Sequence, residues 1–248
     1  MKTVRSTIRV TLLFLWTFGI YGLWLLLRIF IPNKIYWRQF ILGRWARGWI
    51  RIAGIEVQVI GNPPKPPFFL VSNHLGYVDI PVVRSVAKGV FVAKHDIEEW
   101  PLLGTMIRNL GTIYVNRSRR RSIPKAGELI VERLSGGEGV IVFPEGTSTN
   151  GESVLPFNSS FLEFAARTNI PVSHLSISYR TQTGDPPPSE SVCWWDDTPF
   201  FPHLMRLLTL PHFTAVLNFG SEPIRVSDRK ELALQLHSRV IEKFIPMI

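Results

Sequence analysis

The chain has 248 residues, of which 46% are apolar, 12% aromatic and 19% charged. At about 150 residues per domain this is one α/β-sized domain with an appendage; it is too apolar for a disordered chain and less charged than an ordinary soluble protein. A single cysteine, Cys193, excludes an internal disulfide, and the absence of C-x-x-C and H-E-x-x-H removes the usual structural and catalytic zinc patterns.

The net charge of +9 is unevenly placed. Residues 1–54 hold nine cations and no Asp or Glu, which leaves 19 cations against 19 anions in the remainder. A nucleic-acid-binding domain carries its basic excess on the folded body. Here the excess lies beside the most hydrophobic stretch, so anionic lipid is the expected counter-charge.

Residues 10–27, VTLLFLWTFGIYGLWLLL, are an uncharged apolar run that as a helix reaches about 27 Å against a hydrocarbon core of ~30 Å. Ile29, Phe30 and Ile31 extend it beyond Arg28. A cleaved signal peptide is the competing reading, since Lys2, Arg5 and Arg9 resemble its basic flank, but no A-x-A site follows. Cations stand on both sides, so the loop-charge rule assigns no orientation. Pro32 and Asn33 stop the helix, and residues 34–53 then interleave Trp37, Phe40, Ile41, Trp45, Trp49 and Ile52 with Arg38, Arg44, Arg47 and Arg51 at helical spacing. Trp favours the headgroup layer and Arg reaches phosphates. Residues 1–54 are therefore expected to be a two-helix membrane anchor, spanning or re-entrant, held by Trp16, Trp24, Trp37, Trp45, Arg38 and Arg44. The alternative for the second helix is a basic helix packed on its own domain.

Residues 55–248 read as one catalytic domain of alternating strands and helices. Short β-branched and aromatic runs predict strands at 56–60, 68–72, 90–94, 112–116, 140–143, 172–179 and 214–219. Helices are expected near 81–87, 101–110, 124–134, 157–168 and 200–208. The clearest comes last, where Asp228 and Glu231 form a capping box and Leu232, Leu236, Val240 and Phe244 share a face. The alternation predicts an α/β fold: a mixed, largely parallel sheet flanked by helices.

Asn73-His74-Leu75-Gly76-Tyr77-Val78-Asp79 follows the strand FFLVS directly and precedes a helix with Pro81 in its first turn. Residues five apart in one helix stand about 140° apart, so the two side chains meet only if His74 lies in the loop and Asp79 enters the helix. Asp79 then accepts the Nδ1 proton and leaves Nε2 as a base, the logic of the Asp-His pair in serine hydrolases. Alternatively Asp79 merely caps the helix and His74 is a turn residue. No G-x-S-x-G elbow supplies a nucleophile, and Cys193 has no flanking signature. What remains for an activated His is a hydroxyl on the substrate itself.

GTIYVNR places Arg117 at a strand end, where it can grip a phosphate bidentately, with Arg119, Arg120 and Arg121 read as a solvated loop. Residues 140–143 run into Pro144-Glu145-Gly146-Thr147-Ser148 at the carboxyl end of a strand, where α/β sheets bind ligands. That turn offers N–H groups and the Thr147 hydroxyl to an oxyanion. Glu145 either hydrogen-bonds a substrate hydroxyl, clamps Arg117 or forms a structural ion pair. His95, His203, His212 and His237 have no ligand spacing and read as surface or packing residues.

NH-x4-D at 73–79, G-x-I-x-V-x-R at 111–117, FPEGTS at 143–148 and the Ile170-Pro171-Val172 step resemble, in order and separation, the four blocks of the glycerolipid acyltransferase superfamily. Within it the chain is similar to the bacterial lysophosphatidic acid acyltransferases and the related lyso-ornithine lipid acyltransferases. The resemblance runs from Arg51 to the C-terminus and includes Lys94 with Trp100-Pro101-Leu102-Leu103-Gly104; the segment Val192-Cys193-Trp194-Trp195 is similar to the lyso-ornithine branch. It implies that His74 and Asp79 are the catalytic pair and that no metal is needed. It also implies that Arg117, Glu145 and Gly146, with Lys94 and Thr147 beside them, bind the acceptor's polar head. One departure is His174, which in IPVSH stands where the fourth block often has a second proline. The implied reaction is O-acylation of a lysolipid, 1-acyl-sn-glycerol-3-phosphate first, with acyl-CoA or acyl carrier protein as donor and no cofactor. The expected location is the cytoplasmic side of the inner membrane, against an anionic membrane surface and without nucleic acid. A lyso-ornithine lipid is the alternative acceptor. A non-catalytic lipid-binding protein is the alternative of another class, and it would not need the His74/Asp79 pair.

Overall fold

The computed structural model describes residues 2–96, 103–115 and 122–247. The chain opens with a helical hairpin, α1 (Lys2–Leu27) and α2 (Lys34–Ala53). Asn33 caps α2 by accepting the Tyr36 N–H at 2.9 Å. Gly54 closes it in the left-handed region at φ 77°, where a Cβ would stand 2.7 Å from the Pro211 carbonyl oxygen, so this corner requires glycine.

Strands and helices then alternate: β1 (Ile55–Ile60), β2 (Phe68–Ser72), α3 (Asp79–Val86), β3 (Gly89–Lys94), α4 (Leu103–Asn109), β4 (Ile113–Val115), α5 (Ser122–Ser135) and β5 (Gly139–Val142). A 3-10 turn (Ser159–Leu162) runs into α6 (Glu163–Thr168), followed by β6 (Val172–Arg180), a short α7 (Pro188–Ser191), α8 (Phe200–Leu207), β7 (Phe213–Phe219) and α9 (Arg229–Lys243). Where one helix was expected over 157–168, Asn158 instead accepts the Ser160 N–H at 3.0 Å and starts the tighter turn. At α9 the Asp228 cap is present, accepting from the N–H groups of Lys230 and Glu231 at 2.8 and 2.9 Å.

Among the described residues seven strands form one mixed sheet in the order β1-β7-β6-β2-β5-β3-β4. The run from β6 to β4 is parallel, β7 is antiparallel to β6, and β1 is parallel to β7. Every residue of β2 and of β5 is buried, because helices cover both faces of the central strands. Alternation divides their side chains between two cores. Phe68, Leu70 and Ile141 join Leu175, Ile177 and Tyr179 on the face covered by α2, α3 and α8, while Phe69, Val71 and Val142 join Ile130, Leu162 and Leu236 on the other.

The N-terminal reading needs correction. Among the described residues one helix, α1, is long and apolar enough to cross a membrane. α2, expected at the membrane interface, instead follows the alternative of a helix packed on its own domain: it packs along α3, with Trp49 and Ala53 in the main core and Ile41 against Trp24 and Trp37. The tryptophans expected at the headgroup layer close the hairpin instead. Trp24 and Trp37 are buried, and the Trp37 Nε1–H donates to the Trp24 carbonyl at 3.4 Å. Trp16 donates to the Trp45 carbonyl and Trp45 to the Thr17 hydroxyl, each at 3.1 Å. Once the two helices meet, the indole N–H groups of Trp16, Trp37 and Trp45 need partners, and the facing helix supplies them. Arg38, expected to reach lipid phosphate, is ion-paired to Glu138 just before β5, a carboxylate 1% exposed that requires a cation. Arg44, like Arg47 and Arg51, stays exposed, its guanidinium 5.2 Å from the Phe40 ring centroid.

Candidate active site

The loop from β2 to α3 rises at the carboxyl edge of the parallel strands, beside the loop that leaves β5. Here Asp79 is the first residue of α3 and His74 lies in the loop before it. Their side chains meet: His74 Nδ1 donates to Asp79 Oδ2 at 2.7 Å. The same Oδ2 accepts from Leu75 N–H at 2.7 Å and Gly76 N–H at 3.2 Å. Asp79 thus binds the loop that precedes it. Val78 stands at the N-cap without a side-chain cap bond, so the reading of Asp79 as a mere helix cap does not hold.

The remaining oxygen, Asp79 Oδ1, accepts the Tyr179 hydroxyl at 2.6 Å. Asp79 is fully buried while the His74 side chain is 24% exposed, so the pair presents only the imidazole to a substrate. One face of that ring stacks on Phe143, with centroids 4.3 Å apart and planes 12° from parallel. With Nδ1–H committed to Asp79, Nε2 is the free nitrogen and has no partner among the described residues.

Three neighbours hold the loop. Asn73 reaches across to β6, accepting from Ile177 N–H at 2.7 Å and donating to its carbonyl at 2.9 Å. Trp194 N–H donates to the Leu75 carbonyl at 2.8 Å, and Gly76, at φ 148°, leaves no room for a Cβ, which would lie 2.9 Å from that nitrogen. Glu145 takes the third position: Oε1 accepts from the His74 backbone N–H at 2.7 Å and Oε2 from Leu155 N–H at 3.0 Å. Burial pushes its carboxyl up to about 8, against the opposing pull of these two bonds. With both oxygens engaged by the backbone, Glu145 clamps the two loops together, while Arg117, the partner considered from sequence, lies outside the described residues.

Tyr77 packs edge-on against Trp49, Trp194 and Phe200, and its hydroxyl donates to His203 Nδ1 at 2.9 Å. His203 passes its own Nε2–H to the Cys193 carbonyl at 2.9 Å and is a packing residue. Burial pushes the Cys193 thiol up, which keeps it protonated and unsuited to nucleophilic attack. An imidazole oriented by a carboxylate, with no activated nucleophile beside it among the described residues, is equipped to deprotonate a hydroxyl brought by the substrate.

An acyltransferase family model matches residues 54–178, half of the chain, spanning His74, Asp79 and Glu145. The chain belongs to the acyltransferase family. A lyso-ornithine lipid O-acyltransferase of Rhodobacter capsulatus is 30% identical to it over 212 residues, 82% of this chain and 75% of that protein. A 1-acyl-sn-glycerol-3-phosphate acyltransferase of Neisseria meningitidis is 31% identical over 140 residues, 56% of this chain and 55% of that protein. The crystal structure of the 1-acyl-sn-glycerophosphate (LPA) acyltransferase PlsC from Thermotoga maritima has the same fold, with a TM-score of 0.72 at 23% identity over 98% of this chain and 95% of that chain.

In this acyltransferase the other expected site residues are distributed as follows. Gly146 adopts φ 87° in the turn after Glu145, and Thr147 beside it is exposed. Lys94 ends β3 on the same sheet edge, exposed and ion-paired to Asp96. Arg117 lies outside the described residues. Sequence reasoning missed Tyr179, Asn73 and Phe143. Asn73 and Phe143 stand inside the motifs NH-x4-D and FPEGTS and were within reach of it, although no role was read for them; Tyr179 carries no local signal.

Proposed function

We propose that this acyltransferase moves a fatty acyl group from a thioester, acyl-CoA or acyl carrier protein, to the free hydroxyl of a lysolipid at the membrane surface. The observation that carries this reading is the 2.7 Å contact of His74 Nδ1 with buried Asp79, which leaves Nε2 without a partner among the described residues on a partly exposed side chain. His74 Nε2 takes the hydroxyl proton as that oxygen attacks the thioester carbonyl. The C–S bond of the resulting tetrahedral adduct breaks, and the thiolate leaves, taking the proton from the imidazolium. One ester bond forms and one thioester bond is lost. The donor is already activated, so the chemistry calls for neither ATP nor a metal. Asp79 stabilises the imidazolium, and general-base assistance of this kind is worth roughly 10² to 10⁴ in rate.

The acceptor we favour is a lyso-ornithine lipid, because the similarity to proteins of that name extends over 82% of this chain, against 56% for the 1-acyl-sn-glycerol-3-phosphate acyltransferase. The second reading, 1-acyl-sn-glycerol-3-phosphate, draws on the comparable identity in the catalytic part. Arg117, Lys94, Gly146 and Thr147 would hold the acceptor's polar head in either case. The apolar α1 fits a membrane location, and the reading puts it in the inner membrane with the catalytic domain on the cytoplasmic side, where both thioester donors are found, against anionic lipid.

The test is a panel of lysolipid acceptors with labelled acyl-CoA and acyl carrier protein thioesters on the purified protein in detergent. One acceptor is expected to yield labelled ester. His74→Ala should lower kcat by about 10² to 10⁴ with an unchanged circular dichroism spectrum; a folded, active variant overturns the role of His74. Release of free fatty acid with every acceptor, and no ester, would instead make the enzyme a thioesterase.

A further inference from the structure

We propose that Tyr179 is a positioning residue for the His74/Asp79 pair: its hydroxyl, fixed by β6, holds the Asp79 carboxylate from the side opposite His74. The inference rests on the reading of His74 as the base.

β6 pairs with β2 only as far as Ser72, opposite Leu175, and then continues five residues to Arg180. That overhang stands behind the catalytic loop. Asn73 fastens the loop to Ile177 through two hydrogen bonds, and Tyr179, two residues on, points from the same strand face. The Tyr179 ring is 1% exposed and packs edge-on against Phe213 at 6.0 Å, so the phenol has a fixed place. Burial and the adjoining Asp79 push its ionisation well above the ordinary range, which keeps it a neutral, permanent donor.

The carboxylate is therefore held at both ends. Oδ2 gathers three donors on the loop side, and Oδ1 has, among the described residues, only Tyr179. Without the phenol, a buried carboxylate oxygen has no donor, and the group gains freedom to turn about its Cβ–Cγ bond. Two effects follow. The imidazole is less firmly aimed, and the carboxylate, relieved of one donor, attracts the imidazolium proton more strongly. Among the described residues the titratable groups facing Asp79 are His74, Tyr179, Cys193 and Glu145, with Tyr77 facing Tyr179. Tyr179→Phe alters only one of them, so any contribution of Glu145 to the pH profile is common to both proteins.

The experiment measures the pH dependence of kcat and KM for full-length wild type, Tyr179→Phe, Asp79→Asn, the double variant and His74→Ala. Tyr179→Phe should lose roughly 10- to 100-fold in kcat, with KM for both substrates within about twofold and the acid limb of kcat moved to higher pH. In the Asp79→Asn background the same change should cost nothing further, because Tyr179 acts only through Asp79. Additive losses, or an acid limb that stays in place, overturn the proposal. If Tyr179→Phe fails to fold, replacement of Tyr179 by 3-fluorotyrosine keeps the shape and strengthens the donor. The acid limb should then move to lower pH, and a stationary limb overturns the proposal equally. Loss of activity in His74→Ala with wild-type behaviour at position 179 refutes the Tyr179 role alone, whereas an active His74→Ala protein refutes the underlying reading.

Discussion

Glu145 and His174 show how burial sets the behaviour of single residues here. Glu145→Gln keeps one carbonyl oxygen but turns an NH2 toward a backbone N–H, so one of the two clamp bonds is lost. Leaving that donor unsatisfied should cost about 1–3 kcal/mol in denaturant unfolding, with a fall in kcat and little change in KM; full stability would show that the clamp is dispensable. His174, where the acyltransferase pattern often has proline, sits 5% exposed against Gly220, with Nδ1 unpartnered among the described residues. Burial pulls its imidazole down to about 4, with Lys243 and Arg239 adding to the effect and Glu242 opposing it. A pKa depressed on folding contributes stability above the unfolded value, near 6.5, that is lost as pH falls through the folded one. The loss between pH 6.5 and 4 should be on the order of 3 kcal/mol. His174→Leu should flatten the melting temperature over that window, and parallel curves for the two proteins would refute it. The His74/Asp79 pair itself was legible in the sequence because its members are five residues apart and one loop joins them. The role of Glu145 was not, since its partners are backbone groups that no side-chain pattern reveals.

At the level of elements, the decisive contact is between α2 and the body of the protein. Glu138 accepts from both Arg38 and Gln39 of α2 and lies 3.6 Å from Arg133 of α5, while Gln39 in turn accepts from Arg84 of α3. Glu138→Ala would strand Arg38 without an anion in a buried place and should destabilise the protein by about 3–5 kcal/mol. Arg44→Ala, at an exposed position over Phe40, should cost no more than about 1 kcal/mol. Thermal unfolding in detergent separates the two, and equal effects would mean that the Glu138 pairing contributes little. The amphipathic stripe of α2 could be read from its spacing, but a stripe facing lipid and one facing a neighbouring helix have the same period. Only the presence of α3 and Glu138 within reach distinguishes them.

For the molecule as a whole, α1 leaves Leu12, Leu15, Phe18, Leu26 and, past its end, Phe30 exposed, up to 79% for Phe30. So much contiguous apolar surface marks a membrane contact. Leu15→Glu with Phe18→Glu should shift the protein from the bound to the free fraction in vesicle flotation while leaving turnover of detergent-dispersed acceptor intact. Unchanged flotation would exclude this face of α1 as the contact. The order of strands and helices, the charge split at residue 54 and the loop joining His74 to Asp79 were all determined by the sequence itself, because hydrophobic period, net charge and a five-residue separation are local quantities. Tertiary structure decided the rest. Tyr179 comes to Asp79 from 100 residues away because β6 lies beside β2 in the sheet and outruns it, Glu145 reaches the backbone of His74 because β5 lies on β2's other side, and the tryptophans of α1 and α2 face each other because the hairpin closes. Each depends on which strand or helix becomes a neighbour, a choice made by the burial of whole faces and not by any residue's local context.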